Sequence, residues 1–165
     1  MSLHIFIIEC VIFMVVFGGL VFGMLLISPL TFVSDYPKEI QEQYYTSQSK
    51  EKKRKKLTAA MAIKKVAALI AAVFLLAWMA HRAGAESFGE GLLLAYGYML
   101  VWAIFDTCFL DWVLFPNIRR VRLPGTECME KEYHQKWFHV KVMRPLLPVF
   151  AIGGLFAAMI MVWIW

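Results

Sequence analysis

Four long stretches of this chain carry almost no charge, and that distribution limits the fold more than any other feature. The runs are 3–31, 57–81, 89–115 and 145–165. Crossing the hydrocarbon of a bilayer takes about 20 apolar residues of α-helix, and each run is of that length. In hydrocarbon every backbone N–H and C=O must find a partner within the segment, which a single run achieves by becoming a helix. Hydrophobic residues make up 61% of the 165 and charged ones only 18%, so a water-soluble core would lack a polar shell. The chain is therefore expected to be all-α and polytopic. It reads as one membrane domain, 1–165, a four-transmembrane-helix bundle with two polar loops, 35–56 and 117–144. Soluble enzyme folds, disulfide scaffolds, coiled coils and disordered tails are excluded.

From Leu3 to Leu30 the first run is interrupted only by His4, Glu9 and Ser28, and Asp35 and Pro37 follow it. A basic start and a small-residue cleavage site are both missing, so the segment reads as retained, not as a cleaved signal peptide. Pro116 has no N–H to continue a helix and is expected to close the third run. Pro145 suits the first turn of the fourth, where that N–H has no partner anyway.

Lysine and arginine resist translocation, and their distribution gives an orientation. The first loop carries Lys50, Lys52, Lys53, Arg54, Lys55 and Lys56; the second carries Arg119, Arg120, Arg122, Lys131, Lys136, Lys141 and Arg144. The hairpin 81–90 has only Arg82. Both long loops are expected on the cytoplasmic side and both termini outside, with Trp163 and Trp165 in the outer aromatic belt. The net charge of +5 then reads as attraction to anionic lipid headgroups, and nucleic acid is not an expected partner. Cys10, Cys108 and Cys128 form no CxxC pair, so no disulfide framework is expected.

Neither loop reads as a plain linker. After Lys38, the order Glu39, Glu42 and then lysines suits a short interfacial helix aligned with its macrodipole, with Ile40, Tyr44 and Tyr45 on its apolar side; a solvated tether is the alternative. Leu123-Pro124-Gly125-Thr126 is a turn signal, with Pro before Gly as a type II turn prefers. Beyond it Met129, Tyr133 and Trp137 recur at helical spacing, while Phe138, Val140 and Val142 alternate as a strand would. That stretch stays open.

Ionisable residues inside a span are costly and generally face a partner or a wet cavity. By the helical rise, Asp106 lies about 15 Å from the Pro116 end of its run, and Lys64 and Lys65 about 11 Å into theirs from the same side. An intramembrane ion pair between Asp106 and either Lys64 or Lys65 is expected, with the other lysine snorkelling to the headgroups. Two snorkelling lysines and a hydrogen-bonded Asp106 are the alternative. Asp111, five residues after Asp106, would point about 140° away on an α-helix, which disfavours a two-carboxylate site. It is expected near Arg119, Arg120 and Arg122. Glu9 has His81 and Arg82 as candidate partners and is otherwise protonated, with a proton relay as one use. Gly19 and Gly23 form a GxxxG widened by Gly18, and Gly153-Gly154 is a similar surface; both suit helix packing or a homodimer. Glu127, Cys128, Glu130, His134 and His139 include metal-ligating types, but only Glu130 and His134 share a helix face, and no zinc signature is present. No HExxH, Walker A, nucleophile elbow or CxxCH occurs, and the cofactor is left unassigned.

Asp35-Tyr36-Pro37 with Ile40-Gln41, Asp106 with Leu110-Asp111-Trp112, Pro124-Gly125-Thr126-Glu127 and Phe138-His139 together resemble a family of four-helix bacterial integral membrane proteins to which no activity, cofactor or substrate is assigned. The resemblance implies the same helical bundle and draws attention to the cytoplasmic side, where these residues fall in the expected topology. Read physically, they suggest a pocket. Asp106 and Asp111 would stand at the helix end, the Pro124-Gly125 turn would fold Glu127 and His139 over it, and Arg119, Arg120 and Arg122 would hold a phosphate or carboxylate headgroup at the rim. The expectation is a protein that binds or moves a small or amphipathic ligand. The alternatives are a membrane enzyme acting on a lipid or isoprenoid, with His139 as acid or base and Asp111 or Glu127 orienting it, and an accessory subunit of a membrane complex.

Overall fold

The structure, a computed structural model, describes residues 1–48 and 59–165. The lysine run at 50–56 lies outside the described residues. Everything described is helix, turn or coil, without a strand. The elements are α1 (Leu3–Ile27), a 3-10 stretch (Pro29–Asp35), α2 (Lys38–Ser47), α3 (Ala59–Arg82), α4 (Phe88–Ile104), a π-helical segment (Phe105–Leu114), α5 (Phe115–Asn117), α6 (Glu130–Tyr133), α7 (Lys136–Met143) and α8 (Leu147–Ile164). Four continuous helical stretches are long and apolar enough to cross a membrane: Leu3–Ile27, Ala62–Arg82, Phe88–Asn117 and Lys136–Ile164.

Three boundaries differ from those the sequence suggests. The first helix stops at Ile27 instead of 31, because Ser28 precedes Pro29 and takes the extended backbone a proline imposes on its predecessor. The third passes through Pro116 to Asn117, since the π winding ahead of it already departs from the hydrogen-bond register that a proline interrupts. The fourth begins at Lys136, well before Pro145, which sits in a short 3-10 turn between α7 and α8. The undecided stretch after Thr126 is helical in both its parts.

The described residues gather into two compact units. The first comprises 1–13, 59–103 and 145–165, the second 14–48 and 104–144. In the first unit α3 and α8 pack along each other. Helix α4 also meets α8, where a glycine lets a large side chain lie on the backbone: a Cβ at Gly154 would meet the Tyr96 ring, whose hydroxyl donates to Ala151 O at 2.8 Å. Helix α3 ends at Gly84, whose φ of +81° is the left-handed conformation open to glycine. Its neighbour Ala85 donates back to Ala80 O, the closing bond of a Schellman motif.

The second unit has an aromatic core formed by residues largely outside the spans. Tyr36, Ile40 and Tyr44 bury against Leu25, Phe115, Val121, Leu123 and Tyr133. Ile40 and Tyr44 are one turn apart, which is the amphipathic face of α2 expected from the sequence. The Tyr36 hydroxyl donates to Val121 O at 2.6 Å, and the Tyr133 hydroxyl accepts from Leu123 N at 2.9 Å. The turn at 123–126 forms as the sequence indicates, with Gly125 at φ +82° and Thr126 N bonded to Leu123 O. Gly18 is covered by Phe105, whereas nothing lies within 4 Å of a Cβ at Gly19 or Gly23.

Two predictions follow from this packing, both read from thermal unfolding in a non-ionic detergent. Gly154→Ala drives a methyl into the Tyr96 ring and destabilises by about 1–3 kcal/mol, while Gly19→Ala leaves stability level or slightly raised; equal melting of the two variants counts against the packing at Gly154. The second concerns pH. Burial pushes the Tyr36 phenol well above its ordinary range, with Tyr133 and Asp35 adding to the rise, and burial raises Tyr133 as well. A phenol whose folded pKa exceeds its unfolded one contributes stability that is complete below the ordinary value of about 10 and is lost as pH climbs past it. The alkaline limb should therefore begin near that value, and Tyr36→Phe should lower stability by about 1 kcal/mol at neutral pH and flatten the limb.

Candidate functional site

The π-helical segment is where the second unit brings its polar groups together. A π-helix closes each backbone bond five residues back, as Phe115 N does onto Leu110 O. More residues then fill each turn, so positions five apart come round toward the same side. That overturns the α-helical expectation for Asp106 and Asp111, which was drawn from a narrower winding. Asp106 stands in the first turn of this segment and Asp111 further along it.

Two successive residues of this segment fasten α7. Asp111 Oδ2 stands 3.1 Å from His139 Nδ1, and Trp112 Nε1 donates to Lys136 O at 3.1 Å, with the Lys136 ammonium 5.5 Å from the Trp112 ring centre. The expected salt bridge from Asp111 to the arginines is thus replaced by the imidazole, and Trp112 is a tie between elements. His139 is only 9% exposed and lies edge-on to Phe115 and Phe138. A carboxylate can only accept, so Nδ1 carries a proton and a neutral ring presents Nε2 as a bare lone pair. Nε2 is buried and has no hydrogen-bond partner.

The arginines behave differently from one another. Arg119 and Arg120 are exposed, but Arg122 turns inward and cannot serve the rim. Its Nη1 donates to Glu127 O at 2.7 Å and its Nη2 to Pro116 O at 3.1 Å, with Glu130 Oε1 at 3.5 Å and the Tyr133 ring 5.0 Å below. The guanidinium thereby satisfies carbonyls that the end of a helix and a turn leave open. Glu127 does not reach His139: it is exposed, and its Oε1 accepts from Gly125 N at 3.0 Å. His134 is exposed with Nδ1 on Glu130 O at 2.7 Å, and among the described residues no three His, Cys, Asp or Glu side chains are grouped so that they could hold a metal ion. Lys64 and Lys65 are exposed, and the expected pair with Asp106 is not among the ion pairs of the described residues, which are Glu9–Arg82, Arg122–Glu130 and Asp111–His139.

The first unit holds a separate polar cluster. Glu9 is 6% exposed, accepts the Tyr98 hydroxyl at 2.5 Å and lies 3.5 Å from Arg82 Nε. Of its two candidate partners it takes Arg82; His81 stacks on Trp165. Tyr98 was not foreseen, because a tyrosine in an apolar run gives no sign of where its hydroxyl will point. The same holds for Trp112 and for Phe115 and Phe138 around the imidazole.

Comparison of the chain with protein-family profiles, with curated proteins and with solved structures found no match. The functional reading accordingly rests on geometry. If the Asp111–His139 contact anchors the site, Asp111→Ala leaves a buried N–H without its acceptor and lowers stability by about 1–3 kcal/mol, whereas Glu127→Ala stays within about 0.5 kcal/mol. Thermal unfolding of the two variants side by side checks this, and a larger loss from Glu127→Ala would remove Asp111 from that role.

Proposed function

We propose that the chain is an integral protein of the bacterial cytoplasmic membrane, a four-helix bundle with both termini outside and the connections 35–56 and 117–144 in the cytoplasm. In this reading it binds an amphipathic ligand at the site of Asp106, Asp111 and His139. One observation carries it: a buried imidazole on α7, held at Nδ1 by a carboxylate and unpartnered at Nε2. Leaving a buried polar atom without a partner disfavours the empty state by about 1–3 kcal/mol. A ligand hydroxyl donating to Nε2 would relieve that penalty, and Phe115 and Phe138 would flank its apolar part. Buried polar groups converging in an apolar setting are the usual make-up of a ligand site, and π-helical segments recur at such sites.

A membrane enzyme is the second reading, favoured by the same pair. A carboxylate that fixes the tautomer of a histidine leaves the far nitrogen able to take and return a proton. A lipid or isoprenoid at the cytoplasmic interface would be its substrate class.

Native mass spectrometry of the full chain extracted in mild detergent separates these ideas. The expected result is one retained amphipathic molecule per chain, lost in both His139→Ala and Asp111→Asn while the protein still unfolds cooperatively. Chemical change of that molecule on incubation with wild type but not with His139→Ala would favour the enzyme. No retained molecule in the wild type, or equal retention in all three proteins, overturns the proposal.

A further inference from the structure

Beside α7, and lined in part by Phe138, the second unit has a groove of about 760 Å³ that the ligand reading does not use. Its walls carry three lysines, Lys38, Lys136 and Lys141, against one acidic residue, Glu39, and its apolar lining includes Trp137 and Phe138. We infer that this groove binds an anionic phospholipid of the surrounding bilayer, its phosphate among the three ammonium groups and the start of its acyl chain along Trp137 and Phe138.

Charge supplies the first argument. Three lysines against one carboxylate give the cleft a positive balance that attracts an anion, and lysine is a phosphate binder through point charge. Position supplies the second. Lys136 is the first residue of the stretch Lys136–Ile164, and Lys38 opens α2 shortly after the stretch Leu3–Ile27 ends. If those stretches are the membrane spans of the proposed function, on which this inference rests, the groove stands at headgroup depth. The third argument is Trp137, which is 75% exposed. An indole left in water at that level is unfavourable, while at a membrane interface it is a preferred residue. Trp137 and Lys141 are one helical turn apart, so α7 presents indole and ammonium on one face, matching an amphiphile whose charge and chain adjoin. The volume falls within the range of small-ligand sites and exceeds what a bare phosphate would fill.

The test uses the full-length protein, delipidated in a non-ionic detergent and titrated separately with dioleoyl phosphatidylglycerol, dioleoyl phosphatidylcholine and inorganic phosphate, with bound species counted by native mass spectrometry. The wild type should retain one phosphatidylglycerol in clear preference to phosphatidylcholine, and millimolar phosphate should leave it in place. Each headgroup-level lysine contributes on the order of a fewfold in affinity, so Lys136→Gln with Lys141→Gln should weaken phosphatidylglycerol about tenfold and leave phosphatidylcholine unchanged. Lys38→Gln with Lys141→Gln, which touches none of the Trp112 contacts, should act in the same direction, so a folding defect from losing Lys136 cannot decide the result. Replacing Lys52, Lys53, Lys55 and Lys56 by Gln should leave retention intact. Equal retention of the two lipids overturns the inference, as does retention unaffected by both groove variants or lost on removal of the 50–56 lysines. Displacement by phosphate alone overturns it in favour of a soluble anion. Failure of the membrane reading is seen independently, as extraction of the protein from membranes by alkaline carbonate, and failure of the ligand reading as retention that ignores His139→Ala.

Discussion

The contact between Asp111 and His139 is the point on which the second unit turns. Each side chain alone would be a polar group stranded among apolar neighbours, at a cost that apolar packing does not repay. Together they satisfy one another through Nδ1 and Oδ2 at 3.1 Å. Trp112, the next residue, adds a second tie to the same short helix through Lys136 O. For two consecutive residues to reach one partner element, the helix that carries them must be wound to suit, and Phe105–Leu114 is π-helical over that stretch. The unusual winding and the polar contact therefore belong to one arrangement: the register widens where it must deliver a carboxylate to an imidazole and an indole N–H to a carbonyl.

Around that contact the unit is closed by groups that each complete a backbone bond. Arg122 caps the carbonyl of Pro116 and holds that of Glu127; Tyr36 takes Val121 O, and Tyr133 receives Leu123 N. These are the bonds a chain needs where helices end and no regular partner exists. Aromatic rings serve here because a phenol combines a large apolar face with one polar atom at its tip. The stretch 117–129 is thus tied down by the side chains of Tyr36, Arg122 and Tyr133.

How much of this was readable follows from which signals are local. Charge-free length gave all four helical stretches, because burying an unpaired backbone in hydrocarbon leaves no alternative. Proline and glycine gave the 123–126 turn, and the spacing of Ile40 and Tyr44 gave α2. Boundaries near prolines misled in both directions: Pro29 ended a helix early through its predecessor, while Pro116 was tolerated because the preceding register was no longer α. The site was half legible. Asp106 and Asp111 stand out as ionisable in an apolar run and His139 as an acid–base side chain in the second loop, yet the α-helical angle between Asp106 and Asp111 does not hold, since a π winding leaves no mark in composition or periodicity. Arg122 was grouped with Arg119 and Arg120 by type, and nothing in the three letters says which guanidinium will find carbonyls to cap. Glu127 looked like a second carboxylate for His139, but a nearer N–H, that of Gly125, claimed it.

The two polar clusters differ in a way that bears on what each can do. Glu9 has a hydroxyl on one oxygen and a half-exposed guanidinium near the other, and the Arg82 ammonium-like charge reaches solvent, 52% exposed. The Tyr98 hydroxyl holds one oxygen, while the other, buried and without a hydrogen bond, faces the Arg82 charge across 3.5 Å. His139 is held on one side only. Its second nitrogen faces protein, not water, and protein offers it nothing. A buried polar network that is complete rigidifies a fold, whereas one that is incomplete by a single partner is disfavoured until that partner arrives. Glu9 Oε1 and His139 Nε2 are both buried without a hydrogen-bond partner, but only Glu9 has an opposite charge 3.5 Å away, which is why the proposed ligand site is placed at the imidazole.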